Sequence, residues 1–216
     1  MAGALEGVKV VELGLWVAAP SAAAMLSDWG AQVIKIEPPQ GDPFRGLFAS
    51  LMGSPVTVNP PFETDNRGKR SVALNLESEE AREIAFRLIE GADVFVTNMR
   101  PRALDQFGLS YEQLNRRYPR LVYCQVTGYG PDGPDRDRAA YDIGAFWSRA
   151  GVAAALTPAG AEIPQQRGGM GDHMAGTAAA GAVCAALLAR EKTGKGQRVA
   201  VSLLRMGVYM MSWDVS

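Results

Sequence analysis

The chain has 216 residues, of which 47% are hydrophobic and 21% charged, the balance of a globular protein rather than of a disordered or fibrous one. Its 22 Lys and Arg residues against 23 Asp and Glu residues give a net charge of −1, which disfavours a nucleic-acid binder. No apolar run reaches the roughly 18 residues that a membrane span needs, and the N terminus lacks a secretory signal pattern. We therefore expect neither a membrane nor a nucleic-acid partner.

Cysteine and histidine content argues against disulfide and metal sites. The two cysteines, Cys124 and Cys184, lie far apart in apolar runs, which predicts buried free thiols in a reducing compartment. The chain has one histidine, His173, and this disfavours a histidine-based metal site. These features predict a cytoplasmic protein without a metal.

Short β-rich runs alternate with helical patterns along most of the chain. The strands are predicted at 8–13, 33–37, 71–76, 94–98, 121–128 and 198–204. This alternation predicts an α/β fold, a doubly wound, Rossmann-like parallel sheet with flanking helices. Ligands of such sheets bind beyond the carboxyl ends of the strands, so we expect the site at the loops after Leu13, Glu37 and Thr97.

Helical patterns connect these strands, and one connection is long and irregular. Helices are predicted at 21–30, 78–91, 111–118, 145–156 and 173–191, with Ser78 as the cap of the second. The segment 38–69 is predicted to be a loop, and a loop of that length usually has a function.

Two patterns suggest phosphate or anion binding. Gly128, Gly130 and Gly133 satisfy the dinucleotide spacing, but prolines interrupt it and no helix pattern follows, so a turn is predicted. Several basic residues near strand ends or in loops are each expected to be solvated, although together they could bind a polyanionic small molecule: Lys69, Arg70, Arg100, Arg102 and Arg138. Neither a P-loop nor a hydrolase nucleophile elbow is present.

The sharpest local feature is a glycine-rich segment, Gly168–Asp172, before the long small-residue helix. In one interpretation, Asp172 is an N-cap and the glycines form a flexible entry to the helix. In the other, the helix N terminus lowers the pKa of Asp172 and keeps it ionised as a carboxylate nucleophile. The glycine N–H groups would then stabilise an oxyanion, and the loop would close over an intermediate.

Segments spread over nearly the whole chain resemble one family. In order they are LEGVKVVEL, LSDWGAQVIKIEPPQGDPFR, NRGKRSVALNL, ADVFVTNMRPRALDQFGLSYEQLN, GYGPDGP, AYD, GDHMAG and ALLAREKTGKGQRVAVSLL. Their order and spacing resemble the family III CoA-transferases, the carnitine/bile-acid (CaiB/BaiF) type. The segment YDIGAFWSRAG is most similar to transferases that act on aryl-lactate and branched 2-hydroxy acids.

The resemblance implies roles for individual residues. Asp172 falls at the family's aspartate nucleophile, directly after Gly168, Gly169 and Gly171, for which the local pattern predicts an oxyanion and shielding loop. The implied coenzyme A contacts are Val17, Ala18, Leu74, Asn98, Met99, Arg100 and Tyr141, of which Leu74 lies at the adenine end. Asp142, beside Tyr141, borders the implied active site.

The chain departs from the family at positions where some members place basic residues for the CoA phosphates. Pro38 replaces an arginine, and Glu77 and Ala139 replace lysines, with Arg138 as a possible substitute beside Ala139. The resemblance therefore does not assign the phosphate contacts.

The implied activity is CoA transfer from an acyl-CoA to a free carboxylic acid (EC 2.8.3.-), through an aspartyl anhydride and an aspartyl–CoA thioester. Coenzyme A enters as the acyl-CoA substrate, and no metal is implied. One alternative is a 2-methylacyl-CoA racemase, whose histidine falls at Tyr141, a poor base at neutral pH. His173 is expected at the first helical position, facing solvent or a neighbouring helix.

The resemblance also implies an assembly larger than this chain. Family members are roughly twice as long and form homodimers of interlocked rings. Residues 1–216 then correspond to an incomplete large Rossmann-like domain, with a smaller second domain expected beyond residue 216, and the apolar end at 206–216 supports this. A truncated, inactive CoA-binding fragment is the other alternative. Trp16, Phe146 and Trp147 are expected in the core or lining an acyl pocket.

Overall fold

A computed structural model describes residues 3–53 and 58–214. Within these ranges six strands form one all-parallel sheet in the order β3-β2-β1-β4-β5-β6. They are β1 (Lys9–Leu13), β2 (Gln32–Glu37), β3 (Arg70–Ala73), β4 (Val94–Thr97), β5 (Val122–Thr127) and β6 (Arg198–Ser202). The strand order reverses between β1 and β4, which is the switch point of a doubly wound sheet. The predicted fold class is confirmed.

Helices connect the strands and cover both faces of the sheet. The α-helices are α1 (Ala18–Asp28), α2 (Phe44–Met52), α3 (Pro60–Asn66), α4 (Glu79–Glu90), α5 (Pro101–Phe107), α6 (Tyr111–Arg117), α7 (Val152–Ala155), α8 (Met170–Thr193) and α9 (Leu203–Met210). A π-helix spans Ile143–Arg149. The predicted cap of α4 is confirmed, because the Ser78 hydroxyl accepts the Ala81 N–H at 3.2 Å.

The prediction of a loop over 38–69 is wrong in part, because two helices, α2 and α3, lie within this segment. Helix α3 begins after Asn59, whose side-chain oxygen accepts the Phe62 N–H at 3.1 Å, and prolines occupy its first positions. Residues 54–57, between the two helices, lie outside the described ranges. The segment is therefore a helical excursion between β2 and β3.

Two further boundaries differ from the prediction. The strand predicted to reach residue 204 ends at Ser202, because the Ser202 hydroxyl accepts the Arg205 N–H at 3.2 Å and starts α9. The helix predicted over 145–156 is instead the π-helix followed by α7. Gly151 separates them with a left-handed φ of 88°.

Alternating side chains of the strands build two hydrophobic layers. Val10, Val94 and Cys124 face α1 and α8, whereas Val11 and Phe95 face α4, α5 and α6. Cys124 is fully buried and Cys184 half-buried, and both are free thiols. Burial raises the pKa of Cys124 to about 12, so this thiol is unreactive at neutral pH.

Small residues let α8 lie close to α1. A Cβ added to Gly176 would lie 2.0 Å from the Ser21 hydroxyl oxygen and 3.1 Å from the Ala22 nitrogen. Contrary to the expectation from sequence, α8 is long and apolar enough by length and composition to cross a membrane. In the fold, however, α8 packs along α1 and against β5 and β6, as a core helix does.

Candidate active site

A buried ionic network lies under the loop that follows β1. The Nζ of Lys35 lies 2.7 Å from Glu12 Oε1, 3.0 Å from Asp42 Oδ2 and 2.7 Å from the Gly14 carbonyl oxygen. Lys69 Nζ lies 2.7 Å from the other oxygen of Glu12. The expectation that Lys69 is solvated is therefore wrong, since its side chain is 2% exposed. Burial lowers the pKa of Lys69, and Glu12 offsets part of that effect.

This network and Asn98 fix the loop after β1 from two sides. The Trp16 N–H donates to Asp42 Oδ1 at 3.1 Å. Asn98 accepts the Leu15 N–H at 3.0 Å and donates to the Leu15 carbonyl at 2.8 Å. Trp16 has a left-handed φ of 66°, a conformation that costs a non-glycine residue about 1–2 kcal/mol. The surrounding bonds hold this strained turn at the switch point of the sheet.

A cavity of about 260 Å³ opens at the carboxyl ends of β1 and β2. Leu74 and Met99, both implied CoA contacts, line it. Its wall is mostly apolar and includes Pro38 and Glu77, the positions where some family members have basic residues. The remaining lining residues are Leu13, Leu15, Ile36, Glu37, Pro39, Gln40, Asn75, Leu76 and Phe107. The cavity therefore suits an uncharged, flat or apolar group better than a phosphate.

Helix α8 begins three residues earlier than the N-cap interpretation of Asp172 requires. Gly169, with a φ of 79°, is the N-cap, and Asp172 is the third helical residue, so that interpretation is wrong. The cap comes instead from Asp142, at the start of the π-helix. Both of its oxygens lie 3.1 Å from the Gly171 nitrogen, which donates to them. An oxyanion could use this N–H only by displacing the Asp142 carboxylate.

Gly171 is required where these two helices meet. A Cβ at this position would lie 2.3 Å from both Asp142 Oδ1 and Phe146 Cγ. Phe146 and Trp147 lie in the π-helix and are buried. Of the two places expected for them, the hydrophobic core and an acyl pocket, they occupy the core. Trp16 is half-buried in the loop instead.

The electrostatics of Asp172 are opposite to the prediction. Burial raises its pKa to about 7, repulsion from Asp142 adds to the rise, and His173 offsets part of it. Burial also raises the pKa of Asp142, although hydrogen bonds donated by the Gly171 and Asp172 N–H groups oppose that rise. Burial and the second carboxylate thus act against the effect expected from the helix N terminus. The Asp172 carboxyl titrates near neutral pH.

His173 is the fourth residue of α8, not the first as predicted. Its Nε2 lies 2.9 Å from Asp65 Oδ1, and the Asp65 side chain is 4% exposed at the end of α3. This pairing raises the pKa of His173 above its ordinary value. Asp65 could not be recognised from sequence as the partner of His173, because 108 positions separate the two residues.

The implied site residues fall into two neighbouring groups. Around Asp172, the Val17 side chain lies 3.8 Å from the place where a Cβ on Gly169 would be, and Ala18 begins α1 beside it. Tyr141 is 65% exposed, and its ring packs edge-on against Trp16 with centroids 5.9 Å apart. Leu74 and Met99 line the cavity, and the exposed Arg100 follows Met99 in the chain. Asn98, bonded to the loop after β1, joins the two groups.

Gly128, Gly130 and Gly133 lie in an irregular segment that leads into a turn at 134–137, and the next helix begins only at Ile143. The predicted turn is confirmed. Functional candidates that the sequence did not reveal are Asp65, Glu12, Lys35 and Asp42. For the buried pair Glu12–Lys35 a signal was available, because each is a charged residue within an apolar strand pattern, at 8–13 and 33–37.

Comparison with known proteins agrees with this geometry. The family model described as CoA-transferase family III matches residues 5–216. The chain is 44% identical over 209 residues to (R)-2-hydroxy-4-methylpentanoate CoA-transferase of Clostridioides difficile, over 96% of this chain and 52% of that protein. It is 42% identical over 206 residues to cinnamoyl-CoA:phenyllactate CoA-transferase of Clostridium sporogenes, over 94% of this chain and 50% of that protein.

The fold has a solved counterpart. A CaiB/BaiF family protein from Brucella suis superposes with a TM-score of 0.89 at 35% identity, over 100% of this chain and 57% of that one. The chain spans about half the length of the curated relatives it matches. The matched family model, the relatives and the parallel sheet agree: this chain belongs to CoA-transferase family III.

Proposed function

We propose that the protein transfers CoA from an acyl-CoA to a free carboxylic acid, with Asp172 as the nucleophile. The observation that carries this proposal is the place of Asp172. Its carboxyl lies at the start of α8, close to the strained loop at the switch point, and has a pKa of about 7. Ligands of doubly wound sheets bind at that point.

The reaction proceeds in steps that conserve the thioester or anhydride bond. The Asp172 carboxylate attacks the thioester carbonyl, the C–S bond breaks, and a mixed anhydride and CoA thiolate form. The thiolate attacks the aspartyl carbonyl, which gives an aspartyl–CoA thioester and releases the donor acid. The acceptor carboxylate attacks this thioester, and the thiolate then attacks the new anhydride at its acyl carbonyl. The products are the new acyl-CoA and the free Asp172 carboxylate.

The two groups of residues give this reaction a binding path. The apolar cavity at Leu74 and Met99 accepts the adenine end of coenzyme A. The pantetheine arm follows the loop at Val17 and Ala18 towards Asp172. Arg100, exposed at the start of α5, is the basic group available to a phosphate beside Met99.

Water must be excluded because the anhydride hydrolyses readily. Gly168 and Gly169 precede α8 and give its entry the backbone freedom to cover the reacting carbonyl, with Gly169 in the left-handed region. Tyr141 and Trp16 form an aromatic pair close to this entry. We assign to them one wall of the acyl site.

The substrates follow from the relatives. The two described above are named for a branched 2-hydroxy acid and for phenyllactate with cinnamoyl-CoA. We infer that this protein acts on 2-hydroxy acids with a branched or aromatic side chain. The aromatic pair Tyr141–Trp16 suits such a group. A homodimer of interlocked rings, completed by a second smaller domain, and a cytoplasmic location belong to the same proposal.

Trapping the activated aspartate tests the mechanism. The full-length protein is incubated briefly with a panel of acyl-CoAs, treated with hydroxylamine, and analysed by intact mass and peptide mapping. We expect a hydroxamate at Asp172 with the productive donors, and none in Asp172→Ala. Because the attacking form is the carboxylate, the rate should rise with pH through about 7. Turnover by Asp172→Ala at the wild-type rate would contradict the proposal.

One observation favours a racemase as a second candidate. Asp172 titrates near neutral pH and His173, beside it, has a raised pKa, so two groups suited to α-proton exchange are adjacent. Solvent deuterium distinguishes the two reactions. A racemase would place deuterium at the α-carbon of a 2-methylacyl-CoA without an adduct, whereas the transferase forms the adduct without that exchange.

A further inference from the structure

His173 is held in place from two sides. Its Nε2 pairs with the buried Asp65 at 2.9 Å, which ties α8 to α3. The other edge of the ring lies over Gly169, where an added Cβ would be 3.0 Å from both Nδ1 and Cε1. The imidazole therefore folds back over the first residue before α8 and has a fixed orientation, although its side chain is 50% exposed.

Three carboxylates interact electrostatically with this imidazole. Asp65 contacts it from α3, Asp172 precedes it in α8, and Asp142, at the start of the π-helix, binds the Gly171 N–H two residues before it. The same groups act on Asp172, where Asp142 and Asp65 oppose ionisation and His173 favours it. His173 thus provides the cationic group in a cluster that otherwise consists of acids.

We propose that His173, oriented by Asp65 and Gly169, is a positioning residue for Asp172, and that its imidazolium keeps the neighbouring carboxylate in the attacking form. The proposal rests on the nucleophilic role proposed for Asp172. His173 does not touch the substrate in this scheme. It compensates the charge of the crowded carboxylates and fixes the entry of α8.

The consequence is a defined pH dependence. An imidazolium stabilises the ionised form of a nearby carboxylate, so its removal raises the pH at which Asp172 loses its proton. With a shift of about one unit, adduct formation would be about tenfold slower at pH 6, where few Asp172 groups are ionised. At pH 9 the rates would be nearly equal, because Asp172 is ionised with or without the imidazole.

The test compares His173→Gln with His173→Lys in the full-length protein. Glutamine can still hydrogen-bond to Asp65 but carries no charge, whereas lysine restores a positive charge. We expect His173→Gln to move the midpoint of adduct formation to higher pH, and His173→Lys to keep it at or below that of the wild type. Lys192→Gln, a charge loss in the last turn of the same helix, is the matched control and should leave the midpoint unchanged.

A second measurement does not depend on these variants being active. The imidazole resonance of His173, assigned by its loss in His173→Gln, is titrated by NMR in the wild type and in Asp172→Asn. Coupling is reciprocal, so removing the Asp172 charge should lower the pKa of His173. An equal rate loss at every pH in His173→Gln, or an unchanged His173 titration in Asp172→Asn, would overturn the proposal. An adduct that survives in Asp172→Asn would overturn the proposed function instead.

Discussion

Lys35 Nζ lies 2.7 Å from Glu12 Oε1, and the two residues are paired in register on the neighbouring strands β2 and β1. Glu12 is shared with Lys69, and Lys35 with Asp42. Burial opposes the charge of Lys35, but the two carboxylates raise its pKa above the ordinary value. Lys35 therefore stays charged inside the sheet, and its contacts anchor the loop beside the proposed nucleophile.

Removing the shared carboxylate should be costly. We expect Glu12→Gln to lower the free energy of unfolding by about 3–5 kcal/mol, because it leaves the buried Lys69 without its counter-charge and Lys35 with Asp42 alone. Urea denaturation measures the change. Asp28→Asn, which breaks the exposed pair with Arg67, is the control and should cost less than about 1 kcal/mol. Similar losses of unfolding free energy in the two variants would show that the buried Glu12 network contributes no more to stability than an exposed ion pair.

The strain at Trp16 can be separated from the loss of its ring. Trp16→Ala and Trp16→Gly both remove the contacts with Tyr141 and Phe44, but only alanine keeps a Cβ at a φ of 66°. We expect the glycine variant to be more stable than the alanine variant by about 1 kcal/mol in thermal or urea unfolding. The opposite order would mean that the loop relaxes out of the left-handed conformation.

Close packing of α1 and α8 predicts different results at two glycines of one helix. Gly176→Ala should destabilise the protein by about 1–3 kcal/mol, because the new methyl would overlap Ser21. Gly181 is exposed, and an added Cβ meets no atom within 4 Å. Gly181→Ala should therefore be neutral or stabilising by up to about 1 kcal/mol, as expected for helix propensity. Equal effects in urea unfolding would contradict the tight crossing.

Asp172 should lower the stability of the folded protein above neutral pH. Its folded pKa of about 7 exceeds the ordinary value of 3.8, so the folded state prefers the protonated form. Stability is lost as pH rises between these two values and stays lower above them. Asp172→Asn should thus be more stable than the wild type at pH 8 by at least about 1 kcal/mol, with the difference vanishing towards pH 4. Unfolding curves at several pH values check this.

Local sequence patterns sufficed for most of the fold. The apolar β-rich runs marked all six strands of the described sheet, and their alternation with helices predicted its doubly wound topology. Helix α2 was missed because it has only nine residues, contains Gly46 and lies between Pro43 and Gly53, residues that are typical of loops. Asn59 followed by two prolines was a visible start signal for α3.

The site was less accessible from sequence, because its geometry depends on residues far apart in the chain. The glycines before α8 drew attention to Asp172, but Asp142 and Asp65 reach that helix from 29 and 108 positions away. The sign of the Asp172 pKa shift was predicted wrongly for the same reason. A helix N terminus is a local property, whereas burial and the second carboxylate arise only on folding.

The π-helix constrains the number of residues between Asp142 and the core residue Phe146. Asp142 precedes it and caps α8, while Phe146, within it, packs under Gly171. An α-helix rotates by about 100° per residue and a π-helix, with its wider i→i+5 turn, by somewhat less, so a single-residue deletion between these two positions would turn one of them away from α8. Insertions and deletions should therefore be tolerated in the exposed segment 158–165 but not in Ile143–Arg149.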